Sequence, residues 1–146
     1  MQTALAFNAG PWLNVADGHP GLRDFYNRHY SSSGCFSPLI LGPGEKLILV
    51  TPSGDAVFGW RFSKYWSDEE GVNCAVFRNE SPLLSSDLIL AAEEVAVAKW
   101  GAVRFFTFVN PHMIASPNPG YCFKRAGWRQ YRTTKGGLIA LEKLPA

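Results

Sequence analysis

VNPHMIASPNPGYCFKRAGW, from Val109 to Trp128, is the stretch on which the reading of the whole chain turns. An apolar run, Val103–Val109, halts at Asn110-Pro111, a pair that breaks regular structure. A loop carrying Pro111, Pro117 and Pro119 follows, and the chain restarts as a short helix over Gly120–Ala126 that Gly127 stops. Val, Phe and Thr have high strand propensity, so the run before the break reads as a strand. A strand broken so abruptly and followed by so brief a helix leaves room for a substrate arm to pass between the two.

Working outward, Trp128–Arg132 and Leu138–Glu142 pair as a closing hairpin through Lys135-Gly136-Gly137. Upstream, Gly101 ends a helix that Ser85 or Ser86 caps and whose Leu84, Leu88, Ala91 and Val95 share one side. Before it lie three strands. Lys46–Thr51 and Ala56–Ser63 flank the turn Pro52-Ser53-Gly54-Asp55, and Val72–Arg78 follows. A helix from about Pro20 to His29 places Leu22, Phe25 and Tyr26 on one face, and Thr3–Phe7 is a short first strand. The order β-α-β-β-β-α-β-α-β-β predicts an α/β chain with an α+β mixed sheet. The long central helix must cross right-handedly between two parallel strands, and the remainder is antiparallel. Parallel neighbours that splay at their ends make a cleft.

Length and composition bound the rest. A chain of 146 residues reads as a single domain, 1–146, able to bury roughly 70% of its unfolded surface. Hydrophobic content of 47% with 18% charged residues excludes a disordered chain. No apolar run reaches membrane-spanning length and the N-terminus lacks a signal-peptide pattern, so no membrane partner and a cytoplasmic location are expected. Cys35, Cys74 and Cys122 are odd in number and far apart, which reads as buried thiols, neither disulfides nor a zinc site. A net charge of +2 permits anion binding without marking a strongly basic nucleic-acid module. The late cluster Lys124, Arg125, Arg129, Arg132 and Lys135 is either a solvated face or a patch that tracks phosphates.

From about Pro20 onward this order resembles the GNAT acyltransferase fold, and Phe123-Lys124-Arg125-Ala126-Gly127-Trp128 resembles that family's aromatic-x-x-x-Gly-aromatic signature. The resemblance implies that the fourth and fifth strands part to admit a pantetheine arm and that acetyl-CoA or a related acyl-CoA binds at the loop before the long helix. That loop is Arg78-Asn79-Glu80-Ser81-Pro82-Leu83-Leu84-Ser85-Ser86. Free N–H groups and a positive helix end suit a pyrophosphate there, with Arg78, Asn79, Ser85 and Ser86 as the cofactor-binding residues. It holds no glycine where the family pattern has one or two, and Glu80 and Asp87 place negative charge nearby, either as helix stabilisers or against the anion.

A second resemblance is narrower. Arg28-His29-Tyr30-Ser31, the run Val72-Asn73-Cys74-Ala75-Val76-Phe77-Arg78-Asn79-Glu80 and Asn118-Pro119-Gly120-Tyr121 are similar to motifs of the bacteriophage Mom DNA-modification proteins, divergent GNAT-fold members. These convert adenine in DNA to an N6-carbamoylmethyl derivative and protect phage DNA from restriction. The resemblance implies a transferase in the host cytoplasm, with DNA as substrate, an acyl or glycine-derived donor, and an iron-dependent role for His29 and Tyr30 whose further ligands are unassigned.

The residues themselves support two readings each. His29 at a helix end is a macrodipole partner or a general base, with Tyr30 as its neighbouring proton donor. Asn110 holds a substrate or starts an ordinary turn, and His112 is a reserve base. Phe123 stands where many GNAT enzymes carry the tyrosine that protonates the leaving thiolate; Tyr121, two residues earlier, substitutes for it or packs. Arg125, Arg129 and Arg132 are the candidate DNA contacts. Trp66 packs in the core or lid, or stacks on a base. Rival readings are an acyl-CoA-dependent N-acetyltransferase for a small amine or protein, and a non-catalytic nucleic-acid or protein-binding module.

Overall fold

The structure, a computed structural model, describes residues 10–15, 45–62, 69–113 and 118–145. In chain order these form β1 (Leu13–Val15), β2 (Lys46–Val50), β3 (Ala56–Phe62), β4 (Val72–Asn79), α1 (Ser85–Trp100), β5 (Phe105–Val109), a 3-10 turn at Pro111–Met113, α2 (Tyr121–Arg125), β6 (Arg129–Thr133) and β7 (Ile139–Lys143). The expected strand at Thr3–Phe7 and helix from Pro20 to His29 lie outside the described residues, while β1 was not anticipated.

The strands make one mixed sheet in the order β1-β2-β3-β4-β5-β7-β6. Among the described residues only β4 and β5 run parallel, and the other pairs are antiparallel. The β2–β3 turn is locked by Thr51, whose hydroxyl donates to Asp55 Oδ1 at 2.7 Å and accepts the N–H groups of Asp55 and Ala56 at 3.1 Å each. The Thr51 hydroxyl bond, chiefly, holds the Asp55 carboxyl below its ordinary value.

The main core fills the sheet face covered by α1 and α2: Phe58, Trp60, Val72, Phe105 and Leu141 pack against Leu88, Ile89, Ala92, Val95, Ala96 and Phe123. Aromatic rings carry much of it, with Trp60 at 4.6 Å from Phe58 and 4.8 Å from Phe105 between centroids. Three indoles anchor α1. Trp12 and Trp60 donate to the carbonyls of Leu88 and Ala92 at 2.9 Å each, and Trp128 donates to Glu93 Oε2 at 2.8 Å. A smaller cluster, Ile48, Val50, Val57 and Val76, lies on the other face.

Two features of α1 correct the sequence reading. The N-cap residue is Leu84, in extended conformation and without a side-chain cap, so neither Ser85 nor Ser86 caps the helix. The Ser85 hydroxyl instead accepts from Asn79 Nδ2 at 3.0 Å. Leu84 is therefore outside the helix and 62% exposed, and the buried stripe runs through Leu88, Ile89, Ala92, Val95 and Ala96, with Ala91 only partly buried. Gly101, with φ +81°, ends the helix as expected.

The start of β4 presses closely on the residue before β5. Gly71 has φ +127°, and a Cβ there would sit 2.2 Å from the Arg104 carbonyl oxygen, the atom that accepts the Val72 N–H at 2.8 Å. Only glycine fits.

Candidate functional site

The parallel pair is joined at one end only. Its register covers Val72↔Phe105 and Asn73↔Phe106 and then stops, although β4 runs on to Asn79 and β5 to Val109. The last tie across the gap is a side chain: the Thr107 hydroxyl donates to the Cys74 carbonyl at 2.8 Å. Just beyond, β4 bulges. Trp60 faces Cys74 and Gly59 faces Val76, so Ala75 is an extra residue without a partner on β3. A bulge bends its strand and re-aims the side chains that follow. Here it puts Ala75 and Val76 toward one face and returns Phe77 to the α1 core.

A cleft of about 250 Å³ opens where the strands part, on the face opposite α1. Arg61, Asn73, Cys74 and Ala75 form one wall, and Phe108, Asn110 and Leu138 the other. Asn110 is therefore at the site, and it also starts a turn: its Oδ1 accepts the His112 N–H at 3.0 Å. The amide NH₂ and the second lone pair of Oδ1 are what Asn110 has left for a ligand. Asn73 Oδ1 is sealed from solvent with no hydrogen-bond partner. Sequence reasoning missed Asn73, Phe108 and Arg61, because nothing in a strand's alternation marks the residue at which its neighbour departs.

In the loop proposed for an anion, several side chains are engaged with one another. Arg78 Nε donates to Glu80 Oε2 at 2.7 Å. Asn79 organises the loop, donating to Leu83 O at 2.7 Å and to Ser85 Oγ, and accepting from Ser81 N at 2.8 Å and from the Ser81 hydroxyl at 2.5 Å. Ser81 Oγ accepts the Leu83 N–H at 3.1 Å, and the Glu80 N–H goes to Asp55 O at 2.7 Å. Ser86 is buried. Of the four proposed residues, Asn79 is spent on bonds within the loop, Arg78 Nε on Glu80, Ser85 Oγ accepts from Asn79 and Ser86 is buried, and the loop carries Glu80 and stands beside Asp55.

Two members of the basic cluster, Arg129 and Arg132, are paired with carboxylates, together with Arg104 from outside it. Arg132 reaches Glu69 at 2.7 Å, Arg104 reaches Glu69 at 3.1 Å and Glu142 at 2.7 Å, and Arg129 reaches Glu142 at 2.5 Å. Burial works to raise the Glu69 pKa, yet the Arg132 bond and the Arg104 charge outweigh it and hold the carboxyl below its ordinary value. Arg125 is exposed on α2 and makes no ion pair among the described residues. Lys124 donates to Asn118 Oδ1 at 2.8 Å.

Tyr121 opens α2 and is 53% exposed, whereas Phe123 is buried against Trp128 and Phe77. Tyr121 is thus not a core residue. The thiols of Cys74 and Cys122 are both pushed up by burial, which makes them poor nucleophiles. His29, Tyr30, Cys35 and Trp66 lie outside the described residues. Among the described residues no group of three or more His, Cys, Asp or Glu is placed to hold a metal, and no helix is long and apolar enough to cross a membrane. No protein-family model and no curated protein matches the chain.

Proposed function

We propose that the chain is a GNAT-like transferase of the Mom type that adds an acyl or glycine-derived unit, such as carbamoylmethyl, to N6 of adenine in DNA. The observation that carries this reading is the parallel pair that is closed at Val72 and Asn73 and parted beyond them, with a bulge at Ala75 and a polar cleft in the gap. A cleft between parting strands supports a reaction in which a donor arm and an amine approach from different sides, and positioning supplies much of the rate of such transfers. The adenine would leave the duplex stack to enter it. On this reading Asn110 orients the acceptor, His29 and Tyr30 supply base and proton donor, and Tyr121 stands exposed at the start of α2. The reading rests on the cleft and not on a coenzyme A loop.

The test is expression in a bacterium, digestion of the DNA to nucleosides and mass spectrometry. A deoxyadenosine of increased mass is expected, with its yield abolished by His29→Ala while that variant keeps the thermal midpoint of wild type. Unmodified DNA together with coenzyme A-dependent acetylation of amines would replace this reading by an ordinary N-acetyltransferase.

A second reading has its own support. The Asn79 and Ser81 bonds spend the donors of the loop internally, as befits a fold kept for binding nucleic acid or protein without catalysis. Absence of any modified nucleoside, with DNA binding retained, would favour it.

A further inference from the structure

The composition of α1 does not match its place at the surface. A surface helix carries an apolar stripe on its inner side and polar residues elsewhere, and a helix that is apolar all round is a buried one. In SSDLILAAEEVAVAKW the charged side chains are Asp87, Glu93, Glu94 and Lys99, and Glu93 is turned inward to accept from Trp128 and Lys143. With Leu88, Ile89, Ala92, Val95 and Ala96 already in the core, the outer side is still partly apolar. Leu90 is 40% and Val97 46% exposed, and Leu83 and Leu84 are exposed just before the first turn.

Charge says what fits there. Asp87, Leu90, Glu94 and Val97 follow at spacings of three, four and three, so they line up as one exposed stripe in which carboxylates alternate with apolar side chains. Leu90 and Val97 are an apolar pair seven apart, and Asp87 and Glu94 an acidic pair seven apart. Apolar positions repeating at seven, with charges beside them, are the means by which one helix selects another and its charge. The chain as a whole carries +2, so this stripe is acidic against its background. We propose that the outward side of α1 is a docking surface for a basic amphipathic helix of another protein, with an apolar stripe for Leu90 and Val97 and Lys or Arg for Asp87 and Glu94. A second copy does not complement it. Pairing α1 with itself sets its carboxylates against those of the other copy or against Leu90 and Val97, and either arrangement is unfavourable.

The experiment titrates the full chain with two synthetic peptides of about three heptads that share one leucine stripe and differ only in the residues flanking it, lysine in one and glutamate in the other. At low salt the lysine peptide should bind about 10-fold or more tightly than its glutamate twin, and added salt should narrow the gap. Leu90→Glu should weaken the lysine peptide by about 10-fold or more, and Asp87→Lys combined with Glu94→Lys should reverse the preference between the twins. All three positions are exposed, so the variants should keep the thermal midpoint of wild type. Should Leu90→Glu not fold, the charge-reversed variant and the wild-type chain decide. In wild type the lysine peptide must move the backbone amide NMR signals of Asp87, Leu90, Glu94 and Val97 and leave those of Asn73 and Phe108, in the cleft, in place. Failure of the lysine peptide to bind, equal affinity for the twins, an unaltered preference in the charge-reversed variant, or shifts confined to the cleft would overturn the proposal. A concentration-dependent dimer in sedimentation that Leu90→Glu dissolves would give this surface to a second copy, and binding of phosphatidylcholine vesicles through the same residues would give it to a lipid surface. Either result removes the basic helix as its occupant.

Discussion

The two faces of the one sheet are built by opposite rules. On the α1 face, Trp12, Trp60 and Trp128 come from three distant segments and each finds an acceptor on the same helix, at Leu88, Ala92 and Glu93. On the other face, where β4 leaves β5, Asn73 keeps a shielded oxygen without a partner and the strands enclose empty space. The first arrangement fixes a single packing, because an indole moved from its carbonyl loses both contact area and a bond. The second leaves a shielded polar atom unmet, which a packed core avoids. Trp100, whose buried Nε1 lacks a partner near the end of α1, is the one indole among the described residues that departs from the rule of its face.

The sharpest way to break this contrast is Trp60→Ala. Trp60 is fully buried, and its loss should cost about 3–5 kcal/mol in urea unfolding. Trp60→Phe, which keeps a ring and drops the donor, should recover most of that; equal losses would mean that the hydrogen bond to Ala92, and not the ring, holds the helix. Next comes Glu93→Ala. It strands the Trp128 indole and takes from Lys143 its carboxylate at 2.7 Å, leaving that ammonium its bond to Ala126 O, and should cost about 2 kcal/mol with no change in cleft ligand affinity. Loss of affinity would show that the two faces are coupled.

Thr107→Val is the smaller, more local probe. It keeps shape while leaving the Cys74 carbonyl without its hydroxyl, and should cost about 1 kcal/mol. Amide hydrogen exchange should rise at the β4–β5 end of the sheet and stay unchanged along β2 and β3. The smallest effect expected is that of Glu69→Gln. The folded Glu69 carboxyl sits below its ordinary value of 4.5, so it contributes stability that is present above that pH and is lost as pH falls through the folded value. Wild type should exceed the variant by less than about 1 kcal/mol at pH 7, because Arg132 is half exposed, and the difference should close below about pH 4.5. A gap that persists at pH 3 would assign the effect to packing.

What could be read from the sequence was local. The turn at Pro52-Ser53-Gly54-Asp55, the stop at Gly101 and the final hairpin each depend on a few neighbouring residues, and each is present in the structure. The features that escaped depend on partners far along the chain. The bulge at Ala75 is hidden in a run, Val72-Asn73-Cys74-Ala75-Val76-Phe77, whose composition reads as an ordinary strand. β1 is three residues long and exists by pairing with β2. The pairing of Arg132 with Glu69 escaped because the two residues are 63 positions apart. The role of Asn79 escaped for a local reason: the four atoms it ties together, Leu83 O, Ser85 Oγ, Ser81 N and Ser81 Oγ, converge only once the loop is folded.

The tight seat at Gly71 has a consequence for the sheet's topology as a surface. An open sheet has two edges, and the chain here keeps its outer ones short, with three residues in β1 and five in β6. By joining β4 and β5 at Gly71 and Arg104 and releasing them after Asn73, it gains a further pair of edges in the interior, facing one another. Backbone N–H and C=O groups along such edges are a template for any extended chain that reaches them, which on an outer rim invites aggregation. Turned inward and bridged by the Thr107 hydroxyl, they lie within the sheet rather than on its rim, so parting the pair adds unpaired backbone without lengthening an outer edge.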